Sequence, residues 1–430
     1  MRRIAIHIKT LSLGNYRGAL RLELNLHPHL NIFYGVNGCG KSTVLDATAI
    51  MLSWVVSRIR QSGTSGRPIQ EEDITNGKSV ATIKLNCIND NQIIQWKLVK
   101  SRQGHSSNDE RTVLTDLNEY TKKLQNQISS SNEQVNLPLF AYYPVNRAVL
   151  DIPLRIRGGH NFNLLTAYDD ALTSGANFRT FFEWFRERED LENENRKYIN
   201  VPSKPEGFQF PDLQLKSVRN ALEQLIPEFK NLTVHRNPLR MEVEKNGKQL
   251  TVNQLSDGEK CLMAMIGDLA RRMAMANPAC DNPLEGEGII LIDEIDLHLH
   301  PKWQRMIIPK LIHVFPNCQF IISTHSPHVI THVNSTSLYR LKLTNTGMVA
   351  EQPNESYGKN VDRVLEDLME LETTRPDQVS ENLHNLYLEI DKGNFPEARQ
   401  IIKEMKAKIG EDPELVKAEV LIKRKEIIGK

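Results

Sequence analysis

Apolar and polar positions alternate along the start of the chain, and the pattern then changes. "RRIAIHIKTLSL" and "ALRLELNL" alternate with a period of two, which predicts strands joined by a turn at Gly14-Asn15. "NIFY" is also β-prone, and the stretch "STVLDATAIMLSWVV" after it has apolar residues at helical spacing. The pattern predicts antiparallel strands over residues 1 to 34, then a loop and a helix.

Two kinds of strand pattern recur further along. "SVATIKLNCI" and "QIIQWKLVK" continue the alternating kind, and Asn246-Gly247 predicts a tight turn between two more such strands. "LPLFAYY", "IILI" and "CQFIIS" are continuously apolar, which is typical of strands buried on both faces of a parallel sheet. The chain is therefore predicted to be an α/β protein with a mixed sheet and antiparallel N-terminal strands.

Polar stretches separate these strands. "QSGTSGRP" at 61 to 68 predicts a mobile loop. From 165 to 230, aromatic residues lie beside a dense run of Arg and Glu, which we interpret as helices with a solvated charged face. Near the C-terminus one helical face carries Leu383, Leu386, Tyr387 and Ile390, as in a helical-repeat hairpin that cannot bury its apolar face alone.

These patterns divide the chain into four segments. Residues 1–160 and 231–345 hold the predicted α/β core, residues 161–230 form a helical insertion, and residues 346–430 form a helical C-terminal tail. The tail has an apolar stripe and no catalytic cluster of side chains. We therefore predict that it binds a partner.

Composition narrows the class of protein. A formal net charge of +1 argues against a surface that attracts polyanions everywhere, although local basic patches leave nucleic-acid binding open. The five cysteines lack C-x-x-C spacing, which is typical of free thiols in a reducing compartment. The N-terminus lacks the apolar run of a secretion signal, and the apolar stretch 43 to 57 is too short to span a bilayer. The chain is predicted to be soluble and cytoplasmic.

The loop "GVNGCGKS" fits the pattern G-x-x-x-x-G-K-[ST] between a strand and a helix. Its glycines allow backbone N–H groups to converge on an anion at a helix N-terminus, and the motif binds the triphosphate of ATP. Lys41 is predicted to reach the β and γ phosphates, and the Ser42 hydroxyl to bind Mg²⁺. The alternative is a glycine-rich turn that binds nothing. The residues predicted to bind the nucleotide are Asn37, Gly38, Cys39, Gly40, Lys41, Ser42 and Thr43.

Three later stretches supply further candidate chemistry. Asp293 and Glu294 follow an apolar strand, where Asp293 can bind Mg²⁺ and Glu294 can polarise an attacking water. His325 follows another such strand and can contact a γ-phosphate. Ser256, Asp257 and Gly258 begin an apolar helix and form a second anion-receptive helix end, although Ser256 and Glu259 also have the spacing of an ordinary capping box. Two such ends in one chain suggest that two copies share their ATP sites.

"GVNGCGKST", "LSDGEK", "IILIDEIDLHLHP" and "FIISTHSP" together resemble the ABC-type ATPases of the SMC, RecF and OLD class. In that family they are the Walker A loop, the signature motif, the Walker B strand with its D-loop, and the H-loop. "LSLGNYRG" resembles the family's N-terminal strand motif, which implies that Asn15 and Arg17 lie near the nucleotide. No glutamine matches the family's Q-loop, and "YYPVNR" at 142 to 147 stands in its place.

The class contains several kinds of protein that the sequence separates. No long coiled coil lies between Walker A and the signature, as SMC proteins require, and the stretch after His325 is helical rather than a Toprim nuclease. A compact ATPase with a short helical tail resembles the PtuA family of Septu anti-phage systems, also found with retrons. That resemblance implies a homodimer or higher oligomer, a PtuB-like HNH nuclease as partner, and DNA contact through the complex.

The predicted function is that of an ATPase acting as the regulatory or sensor subunit of an anti-phage complex, with ATP and Mg²⁺ as cofactors. One alternative is a RecF-like DNA repair clamp without a nuclease partner. Another is a nucleotide-sensing scaffold whose turnover is incidental. An adjacent gene for an HNH nuclease favours the first function, and a lone or replication-linked gene favours the clamp.

Overall fold

A computed structural model describes residues 4–105, 110–131, 134–145, 162–173, 176–205 and 208–428. It divides the chain into two compact units, Met1–Lys359 and Asn360–Lys430. The first unit contains three β-sheets with helices, which confirms the predicted α/β class, and the second is helical.

The strands and helices run in the following order. The strands are β1 (Ile6–Tyr16), β2 (Ala19–Asn25), β3 (Leu30–Tyr34), β4 (Val80–Asn89), β5 (Gln92–Ser101), β6 (Leu139–Tyr143), β7 (Phe229–Arg236), β8 (Leu239–Lys245), β9 (Lys248–Thr251), β10 (Gly288–Ile292), β11 (Cys318–Ser323), β12 (Leu338–Thr344) and β13 (Gly347–Glu351). The helices of the first unit are α1 (Lys41–Arg60), α2 (Thr115–Ser130), α3 (Phe178–Asn195), α4 (Leu213–Leu225), α5 (Asp257–Ala276), α6 (Pro301–Val314) and α7 (Pro327–Ile330). The second unit has α8 (Val361–Arg363), which continues as a π-helical turn (Val364–Leu368), and α9 (Asp377–Asp391), α10 (Phe395–Ile409) and α11 (Pro413–Ile428).

The central sheet has the strand order β13-β12-β3-β11-β10-β6. Strands β3, β11, β10 and β6 are parallel, and every residue in them is buried. The continuously apolar sequences of β6, β10 and β11 predicted this arrangement. The prediction of antiparallel strands over residues 1 to 34 is therefore wrong for β3. The carboxyl ends of these parallel strands share one edge of the sheet, so the residues after β3, β10 and β11 meet there.

The second sheet has the order β2-β1-β4-β5 and is antiparallel. The turn between β1 and β2 lies at Arg17-Gly18, where φ is 42° and 86°, and not at Gly14-Asn15 as predicted. Gly14 instead pairs with Arg21 within the ladder. Two consecutive residues with positive φ are the geometry of a tight hairpin turn, and the predicted turn at Asn246-Gly247 has the same geometry, with φ of 51° and 77°.

A buried glutamine joins the two sheets. The Gln319 side chain on β11 accepts a hydrogen bond from the Ile8 N–H at 2.7 Å and donates to the Ile8 carbonyl at 2.9 Å and to the His27 carbonyl at 3.0 Å. The pairing of β1 with β4 shifts register between Ile8 and Thr10. The side-chain amide thus satisfies the backbone groups of Ile8 at the point where the ladder is interrupted.

Helix α1 begins at the phosphate loop and lies in the core of the first unit. It is the one helix among the described residues that is long and apolar enough to cross a membrane. However, 72% of its apolar stretch is buried inside the protein, as in the core helix of a globular domain. Residues 61–68, predicted as a mobile loop, pack against it. The Arg67 N–H donates to Ser53 Oγ at 2.7 Å, and the Trp54 indole donates to the Arg67 carbonyl at 2.9 Å.

The charged run in the predicted insertion forms a solvated face only in part, because some of its acids are exposed and others are buried. Glu189 and Glu192 on α3 are only 5% exposed, and both accept hydrogen bonds from Arg219 on α4 at 2.9 Å. On the same helix Phe181, Phe182, Trp184 and Phe185 are fully buried. Because the arginines come from later elements, the sequence pattern alone could not pair these acids.

The second unit has a small core of its own. The apolar stripes of α9 and α10 pack against α11, in a cluster made of Leu386, Ile390, Ala398, Ile402, Met405, Leu415, Ala418 and Ile422. The predicted hairpin with an uncovered stripe is therefore wrong, because the third helix covers it. Residues 347–351, predicted as part of the helical tail from 346, form β13 of the central sheet, and α8 begins at Val361.

Candidate functional site

The phosphate loop connects β3 to α1 and has the backbone its sequence predicted. Gly35, Gly38 and Gly40 have φ of 145°, 79° and 103°, which other residues adopt only with strain. The Lys41 ammonium donates to the Gly35 carbonyl at 3.0 Å and to the Val36 carbonyl at 3.1 Å. The lysine is thus folded back across its own loop, and these two bonds must be exchanged when it meets a phosphate.

The outer side of the loop is open and the inner side is closely packed. Asn37, Gly38 and Ser42 are exposed and Thr43 is half-buried, whereas Cys39 is 1% exposed. A side chain at Gly40 would come within 1.9 Å of the Met348 methyl group on β13. The buried Cys39 thiol lies 3.8 Å from the Lys41 nitrogen and belongs to the packed inner side.

Asp293 is held at the end of β10 by both neighbouring strands. Its N–H donates to the Tyr143 carbonyl of β6 at 2.9 Å, and its carboxylate accepts a short hydrogen bond from the Ser323 hydroxyl of β11. The residue is 2% exposed. Mg²⁺ usually takes one or two protein oxygen ligands together with phosphate oxygens, and the Asp293 carboxylate and the exposed Ser42 hydroxyl are donors of that kind.

Glu294 and His325 lie together beside Asp293. The His325 Nε2 is 3.9 Å from the Glu294 carboxylate, and both side chains are about 30% exposed. Glu294 has a φ of 46°, and its N–H donates to Ser323 Oγ at 2.7 Å, so its backbone is fixed in a left-handed conformation. The backbone N–H of His325 donates to the Asp296 carboxylate at 3.2 Å, which fixes the backbone of the histidine. The Glu294 carboxylate and the His325 imidazole are thus held close enough together to contact the same bound group.

Ser256 caps helix α5 with a capping box. Its N–H and hydroxyl both donate to Glu259 Oε2 at 2.9 Å, and Lys245 pairs with the same carboxylate. Burial alone would raise the pKa of Glu259, but the bonds from Lys245 and Ser256 hold it below its usual value. Ser256 therefore has the ordinary capping role. The side chain of the next residue, Asp257, is 90% exposed.

Gly258 lies against the loop that follows Asp293. A side chain at this position would come within 2.1 Å of the His298 carbonyl oxygen, so only glycine fits. In the part of the chain that the structure describes, no hydrogen bond or ion pair joins Ser256, Asp257 or Gly258 to the phosphate loop of the same copy. The structure brings Asp293, Glu294 and His325 together and leaves the start of α5 as a separate group.

Asn15 and Arg17 have structural partners. The Asn15 amide donates to the Val80 carbonyl at 3.1 Å. The Arg17 guanidinium lies 2.7 Å from the carboxylate of Asp46 on α1, and it also pairs with Asp73. Asn15 therefore supports strand β4, whereas Arg17 is tied to the helix that begins at the phosphate loop.

Sequence reasoning missed Arg67, which shares Asp46 with Arg17 at 2.8 Å. Burial raises the pKa of the Tyr142 phenol, Asp293 and Asp46 add to the rise, and Arg67 and Arg17 oppose it. Both arginines thus act on the same phenol as Asp293 does. A single arginine in a polar loop carries no signal that could have identified it. The last two residues of "YYPVNR", 146 and 147, lie outside the described residues.

Three comparisons relate the chain to known proteins. A family model described as "AAA domain, putative AbiEii toxin, Type IV TA system" matches residues 30–331. The chain is 31% identical to the "Retron Ec83 probable ATPase" of Escherichia coli, over 95% of this chain and 85% of that protein. It is 24% identical to the "Septu protein PtuA" of Bacillus thuringiensis, over 90% of each. An Smc head domain from Pyrococcus furiosus, solved with the C-terminal domain of ScpA, has a TM-score of 0.48 at 15% identity, over 81% of this chain and 96% of that one. The family match contains the phosphate loop, α5 and the Asp293 region.

Proposed function

We propose that this chain, which belongs to the "AAA domain, putative AbiEii toxin, Type IV TA system" family, uses ATP to control a separate nuclease. It is an ABC-type ATPase of the SMC and RecF class, related to ATPases of retron and Septu defence systems. The observation that supports the proposal best is the joint presence of a glycine-built phosphate loop and a fixed Asp293, Glu294 and His325 group at the same edge of the central sheet.

The side chains divide the chemistry of hydrolysis. Lys41 exchanges its bonds to the Gly35 and Val36 carbonyls for the β and γ phosphates. Ser42 and Asp293 would hold Mg²⁺, which would supply positive charge against the phosphates. Glu294 orients the attacking water and takes its proton, and His325, 3.9 Å from Glu294, contacts the γ-phosphate.

The two halves of each ATP site come from different copies in this proposal. Within the described residues, Ser256, Asp257 and Gly258 make no hydrogen bond or ion pair to the phosphate loop of their own copy, and Asp257 points into solvent. Val36, at the tip of the phosphate loop, is 66% exposed. A head-to-tail homodimer would bring the start of α5 from one copy against the phosphate loop of the other.

Mixing two inactive variants tests this arrangement. Glu294→Gln removes the carboxylate that activates the water but keeps ATP bound, and Ser256→Arg blocks the start of α5. In a mixed dimer one of the two sites keeps both halves intact, so an equimolar mixture should recover about a quarter of wild-type ATP turnover, since about half of the dimers are mixed. The measurement is phosphate release from each variant alone and from the mixture.

An absence of recovery in that mixture, with both variants folded and still able to dimerise, would count against shared sites. The matched control mixes Glu294→Gln with Glu294→Gln,Ser256→Arg. Every dimer in this control lacks both Glu294 carboxylates, so no activity should return.

The partner in this proposal is a PtuB-like HNH nuclease that binds the second unit, and DNA is contacted through the complex in the cytoplasm. The second unit has its own core, and α11 leaves Val416 and Val420 exposed by 45% and 60% on one helical face. Spacing of four residues puts both on the same side of the helix, where a partner can bind.

Deleting residues 360–430 should leave ATP affinity unchanged and abolish co-purification of an HNH nuclease encoded beside this chain. The reason is that residues 1–359 form a compact unit of their own, which contains every nucleotide-site candidate. Val416→Ser with Val420→Ser should weaken co-purification while the helices stay folded, as measured by circular dichroism. Retention of the nuclease by the truncated chain would move its docking site to the first unit.

A further inference from the structure

Helix α5 carries three ionised side chains that are fully buried together. Asp268 is 0% exposed, Arg271 2% and Arg272 1%. The Arg271 guanidinium donates to Asp268 Oδ1 at 2.7 Å, and the Arg272 Nε donates to Asp268 Oδ2 at 2.6 Å. We call these three residues and Tyr143 the buried ion cluster. It lies on the helix whose first residue follows the Ser256 cap.

The cluster is electrostatically unusual for a core. Two guanidinium groups share one carboxylate, so one positive charge is left over, and the Arg271 Nε has no hydrogen-bond partner among the described residues. Burial alone would raise the pKa of Asp268, but Arg272 and Arg271 hold it below its usual value, so the carboxylate stays ionised. Well-packed apolar side chains would often hold a helix at least as firmly. Stability by itself therefore does not explain why charged side chains occupy these positions.

Tyr143 connects the cluster to the magnesium-site candidate. Its hydroxyl donates to Asp268 Oδ2 at 3.0 Å, and its carbonyl accepts the hydrogen bond from the Asp293 N–H at 2.9 Å. Tyr143 also pairs with Ile292 in the parallel ladder of β6 and β10. A single residue therefore touches both the backbone of Asp293 and the ion cluster of α5.

Arg272 extends the cluster to a third element. It donates to the Ala167 and Asp169 carbonyls at 2.8 Å each, in the segment that follows the undescribed stretch after β6. Helix α5 is thus held by directional bonds on two sides, from β6 and from residues 167–169. Directional bonds of this kind fix the rotation and height of a helix, which apolar packing leaves less defined.

We propose that Tyr143 and Asp268 are positioning residues that set the start of α5 according to the state of Asp293 in the same copy. When Asp293 takes up its Mg²⁺-nucleotide load, the shift of its backbone passes through Tyr143 to the buried ion cluster and moves Ser256 toward the ATP of the second copy. Each copy then offers its α5 only after loading its own site. This inference rests on the proposed ATPase function and on sites shared between two copies.

Tyr143→Phe tests it, with Tyr168→Phe as the matched control. Both phenols are buried, and each donates one hydrogen bond. The Tyr143 hydroxyl donates to Asp268 at 3.0 Å, and the Tyr168 hydroxyl donates to the Pro138 carbonyl at 2.7 Å. Tyr143→Phe should leave the Kd for ATP within about twofold of wild type and lower kcat and ATP-dependent dimerisation by about tenfold or more. Tyr168→Phe should leave all three within about twofold.

Equal effects of the two substitutions would overturn the inference, because the cluster would then serve only stability. A second measurement does not depend on turnover: hydrogen exchange of the α5 amides in dilute, monomeric chain, with and without Mg²⁺-ATP. Nucleotide should change this exchange in the wild type and not in Tyr143→Phe, and an unchanged wild-type α5 would also overturn the inference. Failure of the ATPase function itself would show separately, as a wild-type chain that does not bind ATP.

Discussion

Replacing Glu294 by Gln should slow ATP hydrolysis by about two to four orders of magnitude while ATP stays bound. Glutamine has nearly the same shape, so the left-handed backbone at φ 46° and the N–H bond to Ser323 are kept. What is lost is the carboxylate that orients the water and takes its proton. Because hydrolysis then no longer opens the dimer, the variant should accumulate in the closed form. Phosphate release and size-exclusion chromatography with ATP measure the two effects.

The control for this substitution is Glu287→Gln, which makes the same chemical change just before the other end of β10. Glu287 lies away from the carboxyl edge of the sheet, and burial raises its pKa. Its substitution should leave turnover unchanged. A Glu294→Gln chain with normal turnover would remove Glu294 from the catalytic role and leave His325 or a residue outside the described ranges to act on the water.

Replacing Lys41 by Ala should abolish measurable ATP binding. Lys41 is the one cationic side chain of the phosphate loop, and it is 6% exposed, so its charge is poorly screened by water. A charge-assisted hydrogen bond contributes about 1.5–3 kcal/mol, and the lysine is positioned to make more than one. We expect the affinity to fall by about a hundredfold or more. Isothermal titration with a slowly hydrolysed ATP analogue provides the measurement.

Lys302→Ala is the matched control, because this lysine also lies in the first turn of a helix, α6, and pairs with Glu228 rather than with a phosphate loop. Its substitution should not change ATP affinity. Unchanged affinity in Lys41→Ala would contradict the assignment of the loop as a triphosphate site, because the remaining backbone N–H groups alone do not balance the charge of a desolvated triphosphate.

The local features of the site could be read from the sequence because each depends on neighbours along the chain. The glycines around Lys41 require positive φ whatever the rest of the fold does, and they have it. The apolar runs before Asp293 and His325 predicted buried parallel strands, whose carboxyl ends must meet. The capping box of Ser256 needs only the acid three residues later.

Tertiary structure decided the features that join distant segments. Asp46 pairs with Arg17 and Arg67 from two different loops, and nothing in the spacing of these residues predicts that they meet. The Gln319 side chain on β11 binds the backbone of Ile8 on β1, and α11 covers the stripe that the tail's hairpin pattern left open.

The sequence by itself determined the phosphate loop, the class of sheet and the acids at its edge, because their physical causes are backbone conformation and the period of burial. Only the tertiary structure decided which charges are paired and buried, such as Asp268 with Arg271, Arg272 and Tyr143. The reason is that a run of charged residues has the same sequence pattern whether its side chains are hydrated or paired with opposite charges on a distant element. Burial of a charge depends on partners brought together by the fold, and the local pattern does not contain them.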